Sequence, residues 1–453
     1  MNDLDRGAEQ SQKPKYFIRV YGCQMNANDA ERMARILESA GFESASDEKS
    51  ANLIILNTCS VRESAEQRIY GLMQKYLDAK RDGRDLLIAV TGCMAGRDKD
   101  GALQRRLKSV DLFFKTPEMV NLPRWIAELR PNWMISGGHM EDYLKIQPLR
   151  NAKYQAYVAI QTGCNQFCSY CVVPYARGLE KNRPCKDILR EIREHADEGA
   201  TEITLLGQSV NSYRASDTEA FQTSNPYQNH FAALLWEVNQ IPQIERIHWT
   251  AAHPLKMDDQ VIHALTLPKQ INYLHLPVQS GSDDVLRRMN RKYTRDQYLG
   301  IVDKINYYRP GIALGTDIIV GFPGETSRDF EDTVSLYKLC NFDISYTAQY
   351  SERTGTLSHR IFTDDVPSEV KKERWQTLQN LMEEITYKKN QDFLGRVIPV
   401  YIENVAGQTA HGTSAEFKRI TATRANPDQI GKTVPMKVTK AGTWMLEGEI
   451  VEQ

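Results

Sequence analysis

The 453-residue sequence has no excess of either charge: 57 Lys and Arg stand against 58 Asp and Glu, a formal net charge of −1. A surface that is basic throughout is thereby excluded, and any face for nucleic acid has to be a local patch. Long apolar runs are lacking as well. None approaches the ~18 residues needed to span a bilayer, so no membrane partner is expected. The stretch from Met1 to Lys15 is polar, has no apolar core and does not read as an export leader. Cysteine is scarce, eight in all. With no export signal, these point to a reducing cytoplasm and to ligand chemistry in place of disulfides. Histidine is missing between Asn151 and Glu194, where the cysteines are densest.

What is there begins with that dense group. Cys164, Cys168 and Cys171 form a C-x3-C-x2-C array directly after the apolar run 157–160. A zinc knuckle would want a fourth Cys or His close by, and none is present. Burial as small hydrophobes is the other plain reading. The spacing favours one iron–sulfur cluster wrapped by the loop. Three thiolates on a four-iron cubane leave one iron without a protein ligand, which is what a chelating cosubstrate needs. Tyr170, just before the third cysteine, completes the pattern by which radical S-adenosylmethionine enzymes are recognised.

Length and a composition of 41% hydrophobic and 25% charged residues imply two or three globular domains. Residues 1–13 read as a disordered tail. Domain one, 14–130, has strands at 16–21, 53–56 and 86–90 and a helix over 28–40 capped by Asn28 or Asp29. Each strand runs into a loop with one cysteine: Cys23, Cys59 and Cys93. A single such cysteine is a small residue in a tight turn. Three at the carboxyl ends of parallel neighbours converge on one edge and read as a second three-thiolate cluster. Residues 131–149, with Pro131, Pro148 and Gly137-Gly138, are expected to be a linker.

From 150 to 384, strands and helices alternate about six times. Pro184 opens a helix through Glu198, and strands are expected at 202–206, 244–249, 273–278, 312–320 and 342–346. Such repetition closes, or nearly closes, into a barrel with its chemistry at the strand carboxyl ends. Gln208 and Asn211 stand where an amino-acid moiety is held. Gln279 and Ser280 suit a ribose. The turn from Gly321 to Glu325 lets backbone approach an adenine. Arg177 is either a partner for a carboxylate or a surface arginine. A helix over 367–393 presents Leu378, Leu381, Met382 and Ile385 to the barrel. Beyond it, 385–453 reads as a small β-barrel with strands at 397–402, 419–423, 434–439 and 444–451. Lys418, Arg419 and Arg424 cluster there as a face for single-stranded RNA.

Four motifs carry a resemblance over nearly the whole chain: Y-G-C-Q-M-N at 21–26, N-T-C-S-V-R-E at 57–63, G-C-M-A at 92–95, and G-C-N-x-x-C-x-Y-C-V-V-P-Y-x-R-G-x-E at 163–180. In this order they resemble the radical methylthiotransferases. The residues after Cys23 and Cys59 look like the branch acting on N6-isopentenyladenosine in tRNA. Sister branches act on threonylcarbamoyladenosine in tRNA or on a ribosomal-protein aspartate. The resemblance implies an α/β fold: a Rossmann-like amino-terminal domain, a partial (βα)6 barrel of TIM type, and an OB-like barrel called TRAM. It implies two [4Fe–4S] clusters, one on Cys164, Cys168 and Cys171 that cleaves S-adenosylmethionine, and one on Cys23, Cys59 and Cys93 that gives up sulfur. S-adenosylmethionine also supplies the methyl group, and Tyr170, Arg177, Gln208, Asn211, Gln279, Ser280, Gly321 and Glu325 are its candidate contacts. The implied partners are a tRNA anticodon stem-loop with N6-isopentenyladenosine-37 and an electron donor such as flavodoxin, for a monomer in the cytoplasm. His411-Gly412-Thr413 departs from the G-R-T usual in the terminal barrel. Rival readings are an RNA-binding protein with structural metal sites and an iron–sulfur electron carrier; the first leaves the open irons unexplained, the second the barrel and RNA domain.

Overall fold

The computed structural model describes residues 13–59, 63–107, 109–133, 135, 142–150 and 152–451. The expected tail, apart from Lys13, lies outside the described residues, as do Ser60, Val61 and Arg62 of the second cysteine motif and Gly137-Gly138 of the expected linker. Two compact units divide between Leu149 and Arg150.

The first unit is built on a five-stranded sheet: β1 (Lys15–Tyr21), β2 (Glu43–Ser44), β3 (Leu53–Thr58), β4 (Leu87–Gly92) and β5 (Leu112–Phe113). The order is β2-β1-β3-β4-β5, and every pairing is parallel. β3 and β4 are buried along their whole length, which their unbroken apolar runs require of strands covered on both faces. The two-residue strands β2 and β5 are too short to read from sequence.

The first helix corrects an expectation. It spans Gln24–Ser39 with Cys23 at its N-cap, so it starts before Asn28 and Asp29, which are buried inside it. The polar residues that look like caps are spent on packing. Asn26 Nδ2 donates to Asn57 Oδ1 at 2.9 Å, Asn57 Nδ2 donates to the Asn26 carbonyl at 2.8 Å, and Arg32 Nε donates to Asn28 Oδ1 at 3.1 Å. Residues 142–149 of the expected linker are packed on this helix and form no free tether. Tyr143, Leu144 and Ile146 are buried, and Arg32 donates to the Leu144 and Ile146 carbonyls.

In the second unit, β6 (Gln155–Ala159), β9 (Glu202–Leu206) and β10 (Arg246–Trp249) form one parallel sheet, and β11 (Tyr273–His275), β12 (Ala313–Val320) and β13 (Ile344–Gln349) another. A parallel bridge between Ile247 and Gln270 joins them. The result is an arc of six parallel strands. Two short strands, β7 (Gln161–Thr162) and β8 (Lys181–Asn182), pair antiparallel across the cysteine loop. Helices Cys185–Asp197, His230–Asn239, Arg295–Tyr308, Ser327–Cys340 and Ser368–Gln391 pack around the arc, and Leu378 and Met382 of the last one join its core. β11 stops before Pro277, whose nitrogen cannot donate to a ladder. β13 begins at Ile344, two residues later than expected, because Phe342 is committed to the core against Tyr337 and Asp343 to ion pairs.

The chain ends in a closed barrel of β14 (Val397–Ala406), β15 (Thr409–Ser414), β16 (Arg419–Thr423), β17 (Thr433–Ala441) and β18 (Leu446–Ile450), ordered β14-β15-β16-β18-β17. β15 was not expected: its Thr-Ala-His-Gly-Thr-Ser sequence has one apolar residue for the core, Ala410. The loop after β15 covers the amino ends of the arc. Arg246 stacks on Tyr401, 4.6 Å from the ring centroid, and donates to Thr413 Oγ1 at 3.2 Å. Phe417 stacks on Tyr273 at 5.3 Å and lies 4.7 Å from His248. Lys418 pairs with Asp343 at 2.8 Å. The expected basic cluster is thereby dispersed. Lys418 is half-buried at this seam, while Arg419 stays exposed and Arg424 pairs with Glu449 on the outside. Among the described residues, no helix is long and apolar enough to cross a membrane.

Candidate active site

The cysteine loop follows β6, at the carboxyl end of the arc, where parallel α/β folds place their ligands. β7 and β8 close its base, and the Cys164 amide donates to the Gly178 carbonyl at 3.2 Å. N–H groups aim at all three sulfurs: Gln166 N at 3.5 Å from Cys164, Arg291 Nη1 at 3.2 Å from Cys168, and Val173 N at 3.4 Å from Cys171. Burial pushes the Cys164 thiol up to about 11 and that of Cys171 up to about 12. Burial thus disfavours charge on the Cys164 and Cys171 sulfurs, and a bound metal would supply the opposite charge. Among the described residues, no three Cys, His, Asp or Glu side chains are close enough to hold one ion. A cubane asks for something wider, each thiolate on its own iron.

The strand-end residues divide into two kinds. Gln208 leaves its carboxamide oxygen buried without a protein partner among the described residues. Gln279 stands in left-handed backbone with φ +75°, held by its amide on the Asp317 carbonyl and its carbonyl on the Ile319 amide, both at 2.9 Å. Such strain in a non-glycine residue clusters at functional sites. Tyr170 lies edge-to-face on Phe322 at 6.4 Å, beside Gly321. Arg177 is buried at the end of the short helix Val173–Ala176. The other kind has side chains bonded across the loops. Both polar atoms of Asn211 bond the His253 backbone, at 3.0 and 2.8 Å. Ser280 shares its hydroxyl with Thr333 at 3.3 Å and the Ser282 amide at 3.2 Å. Glu325 Oε2 accepts from Gly321 N at 2.5 Å and Arg374 at 2.7 Å, leaving only Oε1 buried without a partner among the described residues.

In the first unit, register brings the other three cysteines to one edge. Tyr21 faces Thr58 and Thr58 faces Gly92, so Cys59 and Cys93 each follow a paired residue, and Cys23 comes one residue later. Two glycines make room. A Cβ on Gly22 would lie 3.1 Å from Cys59 Cβ, and one on Gly92 would lie 2.3 Å from the Thr58 carbonyl oxygen. Cys59 and Cys93 are buried, and Cys23 is exposed.

Residues 15–115 match the uncharacterized protein family UPF0004, and residues 158–337 the radical SAM superfamily. A tRNA-2-methylthio-N(6)-dimethylallyladenosine synthase of Anoxybacillus flavithermus is 40% identical over 97% of this chain and 83% of its own length. Proteins of the same name from Bacillus subtilis and Thermoanaerobacter sp. are 40% and 38% identical, each over 96% of this chain and over 86% and 93% of their own. The chain belongs to the tRNA-2-methylthio-N(6)-dimethylallyladenosine synthases. As a member of that family it is a radical SAM methylthiotransferase, and the radical SAM fold implies S-adenosylmethionine and a [4Fe–4S] cluster. Among solved structures, the radical S-adenosylmethionine methyltransferase TsrM from Kitasatospora setae matches with a TM-score of 0.53 at 13% identity, over 75% of this synthase chain and 72% of its own. That likeness is one of fold.

Sequence reasoning missed the segment of the synthase that holds the cysteine loop. Asn290 Nδ2 donates to the Phe167 carbonyl at 2.8 Å, the Ser169 amide to the Met289 carbonyl at 3.0 Å, and Ser169 Oγ to the Arg288 carbonyl at 2.8 Å. The only signal for it was an M-N-R-K run after a helix, which is weak.

Proposed function

We propose that this protein converts N6-isopentenyladenosine-37 of tRNA to its 2-methylthio derivative, using a radical SAM cluster on Cys164, Cys168 and Cys171 and a sulfur-bearing cluster on Cys23, Cys59 and Cys93. One observation carries the reading. Both cysteine triads stand at carboxyl edges of parallel sheets, in a chain that is 40% identical almost end to end to synthases of that name. The proposed organisation is a Rossmann-like domain over 14–130, a linker over 131–149, a radical SAM core over 150–384 and a TRAM barrel over 385–453. A flavodoxin-type carrier serves as reductant and the protein acts as a monomer.

Bound together, the clusters and S-adenosylmethionine supply an electron, a radical able to take hydrogen from adenine C2, and a methylated sulfur. The residues of the chain bind and orient. The Gln208 carboxamide oxygen would accept from an ammonium group, and Gln279 would offer its carboxamide to a ribose. Tyr170 and Phe322 would shield a cluster held on the loop from water. Gly321, its amide fixed by Glu325 and its Cβ position filled by the Lys371 side chain, would offer its backbone to a flat ring. Asn211, Ser280 and Glu325 act through backbone, holding the loops in place.

The substrate follows from desolvation. A site that accepts a prenyl tail is apolar, and a threonylcarbamoyl carboxylate there would lose its water without gaining a partner. A side-by-side anaerobic turnover assay tests this on four substrates: prenylated tRNA, unmodified tRNA, threonylcarbamoyl tRNA and the ribosomal protein. Nucleoside mass spectrometry is expected to show product from the prenylated tRNA, little from unmodified tRNA and none from the other two. Preferential product from either of those two would sink the assignment.

A further inference from the structure

Arg291 reaches the cysteine loop from 123 residues away in sequence, with Nη1 3.2 Å from the Cys168 sulfur. The guanidinium is fixed on its other edges. Nε donates to the Tyr293 hydroxyl at 2.9 Å, Nη2 to the Pro277 carbonyl at 3.2 Å, and the Tyr293 ring lies 5.1 Å away. Tyr293 is itself buried and donates to the Val278 carbonyl at 2.8 Å. Met289 and Asn290, immediately before Arg291, carry the loop's backbone bonds. The contact with Cys168 therefore does not depend on one long flexible side chain.

The partners of this guanidinium among the described residues are a phenol, a carbonyl and a thiol. None is a carboxylate. A guanidinium stays protonated in proteins, and a cation withdrawn from water without a counter-charge is costly. Thiolates bound to an iron–sulfur core would provide that counter-charge at the atom to which Nη1 already points.

We propose that Arg291 is a positioning residue that sets the reduction potential of the cluster on Cys164, Cys168 and Cys171, an inference that rests on those three cysteines being its ligands. The redox step takes one electron from an external low-potential one-electron reductant. It moves no proton from Arg291 and breaks no bond in the chain. The reduced state is more negative by one charge, so a fixed cation donating to a ligand sulfur favours it over the oxidised state and raises the potential.

The test uses the full-length chain reconstituted anaerobically with iron and sulfide. A C23A/C59A/C93A background leaves a single cluster to observe. Arginine, R291K, R291Q and R291M are compared by iron content and by an EPR-monitored reductive titration. The midpoint is expected to move to more negative potential in R291Q and further in R291M, with R291K staying near the parent because it keeps the charge. Full iron with an unshifted midpoint in the neutral variants would overturn the proposal. So would loss of iron from the neutral variants or from all three, which would make Arg291 a structural latch only. C168A in the same background separates the premise from the proposal: full cluster signal there would refute the ligand assignment and not the physics of the arginine.

Discussion

Eight cysteines in one reduced chain face the same choice between metal and burial, and their surroundings decide it differently. Cys185 and Cys340 lie inside the core of the second unit, on helices, where burial pushes each thiol up to about 12. Neither has a second cysteine beside it in sequence or a strand end to place it. The C185A/C340A variant is therefore expected to hold its full iron content and to lose about 1 kcal/mol of stability per site. The C23A/C59A/C93A variant should instead lose roughly half the iron while reductive cleavage of S-adenosylmethionine stays measurable. Iron analysis beside a cleavage assay decides both. If the triple variant cannot cleave the cofactor, the division of labour between the two triads is wrong. The six candidate ligands were legible because their motifs are local. Arg291 was not, because what it touches is set by the arc and not by its neighbours in sequence.

At the scale of elements, buried strands were easy to read. Leu-Ile-Ile-Leu and Leu-Ile-Ala-Val admit little else once cysteine-bearing turns follow them. The unread parts were those without apolar periodicity, such as β15, and those where a polar residue serves a distant element, such as Asn28. Asp343 is the strongest instance of the second kind. It accepts from Lys418 at 2.8 Å, Lys389 at 2.6 Å and the Leu314 amide at 3.0 Å, which ties three elements together. Burial opposes its ionisation, but the two ammonium groups outweigh that and hold its carboxyl below the usual aspartate range. A depressed folded-state pKa means that this stabilisation is complete above the unfolded value of ~3.9 and fades as pH falls through the folded one. D343N should cost about 2 kcal/mol near neutrality, discounted because Lys389 is 25% exposed. The gap to wild type should narrow in acid. Urea titrations at neutral pH and near pH 3 would show it, and a gap independent of pH would disprove the ionic account.

For the second unit as a whole, the terminal barrel is part of the packing of the arc. Removing it would strip Lys418 from Asp343 and Phe417 from Tyr273, so a truncated chain should lose stability along with affinity. The seam makes truncation a poor probe of RNA binding. Outward residues are the better choice. Arg419 is exposed, and the side chain of Arg424 is 70% exposed and paired with a surface glutamate. R419A/R424A should leave thermal unfolding nearly unchanged. It should weaken tRNA binding and make the log–log salt dependence shallower by about 1 for every phosphate these arginines neutralise. Unchanged affinity and slope would remove these two arginines from the interface.

The seam also has a place in time. Arg246 waits for Thr413, 167 residues later in the chain, which at typical translation rates of ~5–20 residues per second is roughly 8–33 s. Until the loop after β15 leaves the ribosome, the floor of the arc stands open, with Tyr273 and His248 uncovered. A nascent chain stalled in that window is expected to be a chaperone client and easy prey for proteases. A nonsense codon late in the reading frame, sparing every cysteine, should then be as damaging to the yield of folded protein as one placed much earlier.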